Sequence, residues 1–510
     1  MTSILLTPDI LVTPAGAAAH GVLIEAGRIA AVGPPDALCI RAGMERRLAG
    51  VLVPAPADAH LHPVALAAAS MHVDLRAARS LGEVLAAIAN RAGEAPQSTA
   101  VAAIGLDDER LAEGRMPLRS DLDSAAPGRA ILVHRVCGHV ASASTAALDL
   151  AGIGPATPDP PGGSIARGSD GPNGILRETA VEIVASALAA RLPAPGPAEI
   201  LAALRDLLGR GITLVTGMVS TGVGGWCGGS DELTPLLEVA GDLPIDVDVL
   251  VMTPDPDDLR RAAARIAAAG GRLRFLGWKG FADGSLGART ALLREPYSDA
   301  PGVRGTDRLD PRTPALALAA LESGGSVAVH AIGDAAAGRV LDLFETLAVG
   351  GVAGTRLRLE HASVLSEHDI TRIGRLGAIA SVQPAFLASD SIWLARRLGP
   401  GRLASAYPFR LLADAGIPMA GGSDAPVEIP DPWSGMRAAR TRHGLDGRPG
   451  LSPGEALSLF LDGPRLAAGR SPALAPGSPA DLVLLDRDPI EGDQATIAVR
   501  GVWKDGERVV

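Results

Sequence analysis

Two hydrophobic rhythms alternate along most of the chain. Short apolar runs rich in Val, Ile and Leu are separated by longer stretches in which apolar residues recur every three or four positions. The runs predict strands and the stretches predict amphipathic helices. Candidate strands are V-L-V-P-A-P-A-D-A-H (51–60), I-T-L-V-T-G-M (212–218), I-D-V-D-V-L-V (245–251), L-G-W-K-G-F (276–281), V-A-V-H (327–330), L-R-L-E-H (357–361), A-I-A-S-V-Q (378–383) and P-M-A-G-G-S-D (418–424). Helical patterns between them, such as 198–211 and 258–271, end in Gly, a common helix stop. Strand–helix alternation implies a parallel sheet, and eight such strands predict an α/β fold of the (β/α)8 TIM-barrel type.

The two ends have another texture. Residues 1–50 and 476–510 read as short strands punctuated by Gly and Pro, which predicts one discontinuous β domain assembled from both termini around a barrel at 51–475. Residues 64–210 are too long for one crossover. They hold extra strands at 100–106 and 130–136 and a Pro/Gly-rich stretch at 155–164, and so predict an insertion after barrel strand 1, a cap near the mouth.

Composition narrows the partners. Hydrophobic residues make up 47% and charged residues 20%, as in a globular protein with a large core, and aromatics only 3%, so Ala, Val, Leu and Ile must fill that core. A net charge of -10 without a Lys/Arg cluster argues against nucleic acid and anionic membranes as partners. No run is long enough to span a bilayer and no signal-peptide pattern opens the chain. Cys39, Cys137 and Cys227 form no metal or disulfide spacing and fit a reducing cytoplasm. The expected partner is a small-molecule substrate, with a homodimer as the expected assembly.

The chemistry sits at the strand ends. His60 and His62 are two residues apart at the end of the first candidate strand, so both imidazoles project to one side. Lys279 lies in the fourth strand, His330 ends the fifth, His361 the sixth and Asp424 the eighth. In a barrel all C-terminal strand ends open on one face, so these residues converge. Neutral imidazoles suit zinc and similar divalent ions, and a carboxylate can both touch the ion and take a proton from a water that the ion acidifies. A lysine is unusual in such company. It either becomes an anionic carbamate ligand by carboxylation, pairs with an acid inside the barrel, or binds an anionic substrate.

With D-A-H-L-H-P (58–63), G-H-V-A-S-A-S-T-A-A-L (138–148), G-I-L-R-E (174–178), W-K-G-F-A-D-G-S-L-G-A-R-T-A-L-L (278–293), H-A-I-G-D-A-A (330–336), E-H-A-S-V-L (360–365), S-V-Q-P (381–384) and Y-P-F-R-L-L-A-D-A-G-I-P-M-A-G-G-S-D-A-P (407–426), the chain resembles the amidohydrolase superfamily over nearly its whole length. The resemblance is to the branch of YtcJ-like hydrolases and N-substituted formamide deformylases (amidohydrolase family 3). It implies a distorted (β/α)8 barrel beside a β-sandwich built from both termini. It also implies one or two divalent ions, zinc foremost. His60 and His62 would bind the buried ion, carboxylated Lys279 would bridge, His330 and His361 would bind a second ion, and Asp424 would be metal-binding acid/base. One departure is A-P-A before Asp58, where the family usually has Gly-Phe.

His139 is read either as a substrate contact or as a structural histidine, and Asp283 and Ser285 either as pocket-shaping residues or as turn formers. Glu360 and Trp278 are expected to point away from the barrel interior, Glu360 in a structural role. The implied activity is metal-dependent hydrolysis of a C–N bond in an amide, N-substituted formamide or cyclic amide. The same site could serve ester or lactone hydrolysis, deamination, or a decarboxylase or isomerase reaction, and a non-catalytic barrel is a further alternative.

Overall fold

A computed structural model describes residues 3–135, 140–160, 163–222, 231–287, 289–489 and 497–510. They form two compact units, one of Met1–Leu66, Ile200–Leu286 and Thr290–Val510, the other of Ala67–Glu199 with Gly287–Arg289.

The first unit holds an eight-stranded parallel sheet curled into a barrel. Its strands are β1 (Ala57–Leu61), β2 (Leu214–Ser220), β3 (Asp246–Met252), β4 (Leu273–Phe281), β5 (Ser326–Ala331), β6 (Leu357–His361), β7 (Ile379–Val382) and β8 (Met419–Gly421), in spatial order 1 to 8. All eight expected strands are present. They read as unbroken apolar runs because both faces are covered; β2, for example, is buried at every position. A single level runs across the later strands, Phe281 beside His330, His330 beside Glu360, Glu360 beside Ser381 and Ser381 beside Ala420. Between β8 and β1 the ring is joined at the C-terminal end, where Asp424 N donates to His60 O at 2.7 Å and His62 N donates to Ala425 O at 2.8 Å.

That join requires a residue without a side chain. A Cβ at Gly422 would lie 2.6 Å from the His60 backbone nitrogen, which accounts for the second glycine of G-G-S-D. Helices follow the strands with conventional stops and starts. Pro256–Ala269 begins at Asp255, whose side chain accepts from Asp257 N and Asp258 N, and Glu367–Leu376 ends at Gly377 in the left-handed region.

The expected strand at 51–60 is in fact two. Met44–Pro54 belongs to a second sheet, and β1 starts at Ala57. Pro56, which has no N–H for a ladder, lies in the gap where the chain changes sheets. That second sheet has eight strands drawn from both chain ends: Ile4–Thr13, Gly16–Ala18, Gly21–Glu25, Arg28–Gly33 and Met44–Pro54 from one, Leu482–Leu485, Val499–Lys504 and Glu507–Arg508 from the other. Leu482–Leu485 runs antiparallel to Met44–Pro54 with Leu482 opposite Pro54. Lys504, 3% exposed, fastens this sheet to the foot of β3 through Asp481 at 2.9 Å and Asp246 at 3.1 Å.

The second unit has its own six-stranded sheet. The expected strands at 100–106 and 130–136 are found as Val101–Leu106 and Ile131–Arg135, paired in parallel. Strand alternation gives this sheet two apolar faces. Val133 packs with Val84 and Ile88 on one, and Leu132 packs with Leu176 and Val184 on the other. No helix among the described residues is long and apolar enough to cross a membrane.

Candidate functional site

Every barrel strand that carries a candidate ligand delivers it at the C-terminal end of the ring. His60 stands on β1 with no exposed surface, and His361 closes β6. Asp424 follows β8 in the left-handed region (φ 58°), and His361 takes the same region at the end of β6 (φ 72°). These three residues offer ligand atoms all within 4.8 Å of one another. His62 joins through Asp424, whose Oδ1 lies 3.2 Å from His62 Nε2 and 3.3 Å from His60 Nε2. The His330 ring centroid is 4.3 Å from that of His361, but His330 Nε2 faces the Gly284 carbonyl at 3.1 Å and Asp283 at 3.2 Å. Lys279 is buried on β4, with Nζ 4.0 Å from the centre of the Phe281 ring.

The softer candidates differ in their surroundings. Both Asp283 oxygens are taken by backbone, with N–H groups of Ile332 at 3.0 Å, Gly333 at 2.8 Å and Leu292 at 2.8 Å donating to them. The carboxylate ties two loops together and also lies 3.2 Å from His330 Nε2. Ser285 is exposed, and its backbone N–H donates to Thr290 Oγ1 at 3.0 Å. His139 lies outside the described residues.

Glu360 corrects the sequence reading. It does not turn away from the interior: its Oε2 accepts from His60 Nδ1 at 2.6 Å, and its Oε1 accepts from Arg358 Nε at 2.8 Å. Glu360 follows the regular alternation that puts Arg358 on the same side, and Arg358 Nη2 reaches across to Ala59 O at 2.9 Å. The left-handed turn at His361 breaks that alternation, so two consecutive residues serve one centre. A signal was present in the sequence. Arg358 and Glu360, two residues apart in an otherwise apolar strand, are a pair of opposite charges on one face. Asp58, also two residues from His60, was missed as well. It accepts from His60 N at 2.9 Å and Ser423 N at 3.1 Å, bracing β1 against the turn after β8.

Burial and charge oppose one another here. Burial alone would lower the His60 pKa, but the carboxylates of Asp424 and Glu360 outweigh it and raise the pKa. Burial would raise Asp424, yet His60 and His62 hold it well below the ordinary carboxylate range. Burial, reinforced by His330 and His60, drives His361 well below the imidazole range, so it is a neutral donor at neutral pH. Burial pushes Asp58 up to about 6 against the hydrogen bonds from Ser423 and His60.

The chain matches the amidohydrolase family over residues 50–510. It belongs to that family. The amidohydrolase match is carried by nearly the whole chain: 32% identity to YtcJ of Bacillus subtilis (strain 168) over 89% of this chain and 87% of that one, and 28% identity to the N-substituted formamide deformylase of Arthrobacter pascens over 96% and 94%. Among solved structures, an uncharacterized metal-dependent hydrolase from Pyrococcus horikoshii OT3 superposes with a TM-score of 0.74 at 27% identity, covering 97% of this chain and 99% of that one. Amidohydrolases are metal-dependent hydrolases that generally bind a divalent ion, and the centre described here fits one. Among the described residues, His60 Nε2 and His361 Nδ1 are buried without a hydrogen-bond partner, and each faces a cluster whose remaining members are imidazole and carboxylate.

Proposed function

We propose that this amidohydrolase cleaves a C–N bond of a small molecule, in an amide, an N-substituted formamide or a cyclic amide. The observation that carries the reading is the convergence of His60, His361 and Asp424 at the barrel's C-terminal end, with His62 against the same carboxylate. The choice of a C–N bond draws support from the deformylase of Arthrobacter pascens, aligned over 94% of its length.

His60, His361 and Asp424, with His62 beside them, would hold a divalent ion, for which we propose zinc. Such an ion polarises a carbonyl and acidifies water. The chain's own part is to shape and move protons. Glu360 accepts from His60 Nδ1, which fixes the tautomer and leaves Nε2 as the free donor. Asp424, kept ionised by His60 and His62, is placed to take the proton of the attacking water at Oδ1 and to hand it to the departing nitrogen. A carboxylated Lys279 belongs to the same proposal, and in a two-ion centre His330 and His361 would hold the second ion while His60, His62 and Asp424 hold the first. Mass analysis of the intact protein before and after acidification tests it, since a carbamate is lost in acid.

Asp424→Asn should leave the protein folded and lower hydrolysis by roughly two to four orders of magnitude, the range for loss of a positioned acid/base. A near wild-type kcat in this variant would sink the assignment. A matched panel of amides, lactones and aminated heterocycles separates C–N hydrolysis from the other chemistries open to such a site.

A further inference from the structure

The S-V-Q-P segment at the end of β7 has found no role so far. β7 lies between β6, which ends in His361, and β8, whose following turn carries Asp424. Its last residues therefore rise between two members of the cluster. Ser381 faces the interior, since its Oγ lies 3.4 Å from Arg358 Nη2 beside Glu360. Two residues on and just past the end of β7, regular alternation would bring Gln383 to the same side, one level nearer the open end. It is 1% exposed, and among the described residues neither Oε1 nor Nε2 has a hydrogen-bond partner. The turn it begins is folded over the centre. Phe386 N donates to Gln383 O at 3.2 Å, and the Phe386 ring stacks on His361 at 6.2 Å and 16°.

A buried carboxamide with both functions unmet is rare and costly, and a plain structural role is better served by an apolar side chain of that shape. Gln383 is a poor candidate for binding the ion, because imidazole and carboxylate donors already surround that position. What it lacks is a partner that brings an acceptor and a donor together. We propose that Gln383 is a substrate-binding residue that reads the amide N–H of the substrate, Oε1 accepting from it and Nε2 left to donate to a further acceptor of the bound substrate. This inference rests on the C–N reading above. It adds a selection rule: amides with a free N–H are preferred to their N-methylated counterparts.

The test is a cycle of two changes, one in the protein and one in the probe. Wild type, Gln383→Leu and Gln383→Met are assayed as purified metal-loaded proteins on N-benzylformamide, N-benzylacetamide and δ-valerolactam, each beside its N-methyl derivative, with benzyl formate as the ester. Removing an orphaned amide should leave Tm unchanged or raised and metal content unchanged, and the methionine variant guards against a packing defect. For the wild type we expect kcat/KM to fall about tenfold or more on N-methylation, the scale of one hydrogen bond to a buried polar group. In both variants that difference should shrink to within twofold. Equal discrimination in wild type and variants, or none in either, overturns the role of Gln383 while leaving C–N hydrolysis standing. A wild type that cleaves benzyl formate and none of the amides overturns the C–N reading itself, and the selection rule with it.

Discussion

Glu360 shows how much one side chain can govern without touching a substrate. Its two oxygens are divided between Arg358 and His60, all three groups having no exposed surface. Burial would raise its pKa, but Arg358 and His60 together hold it low, so it stays anionic and keeps His60 Nδ1 as a donor. Glu360→Gln keeps the shape and removes the charge. We expect metal affinity to fall by about 10- to 100-fold, measured by competition with a chelator, with little change in the far-ultraviolet circular dichroism. Unaltered affinity would reduce Glu360 to a packing residue. At this scale the sequence was legible where residue type speaks for itself: the histidines and Asp424 sit at strand ends in both readings. It was illegible where a backbone angle decides. No pattern of apolar residues announces that His361 takes φ 72°, and without it Glu360 and His361 should face opposite ways.

Elements were more legible than their joins. Eight strands were readable because each is a short, mainly apolar run set between helical stretches, as a strand buried on both faces must be. The split of 51–60 at Ala55 and Pro56 was not, since a proline in an apolar run marks a break only once the two sheets are known. The join of β8 to β1 depends on Gly422. Gly422→Ala would press a methyl group against the His60 backbone, so either the turn holding Asp424 shifts or β1 does. The expected cost is about 1–3 kcal/mol of stability, read from denaturant unfolding, together with weaker metal binding. A variant as stable and as metal-replete as wild type would show that the strands have slack there.

On the scale of the molecule, both ends of the chain meet in one sheet, as the matching texture of the two termini suggested. Texture could not reveal how that sheet is fastened. Lys504 is buried against Asp481 and Asp246; Asp246 also pairs with Arg272 at 3.4 Å and Arg470 at 3.5 Å, so removing Lys504 leaves Asp481 as the buried carboxylate that loses its cation. Lys504→Met should cost about 3–5 kcal/mol, visible as a lower Tm far from the metal ligands. A Tm within a degree of wild type would mean that water replaces the ammonium.

The same sheet imposes an order on synthesis. Met44–Pro54 emerges from the ribosome early, but its partner Leu482–Leu485 is among the last segments made. β1 likewise waits for β2, which begins at Leu214. Meanwhile Val101–Leu106 and Ile131–Arg135 find each other locally and can fold while the rest is still being translated. The growing chain thus carries an unmatched apolar strand edge for most of its translation, and that edge is where chaperones would be needed.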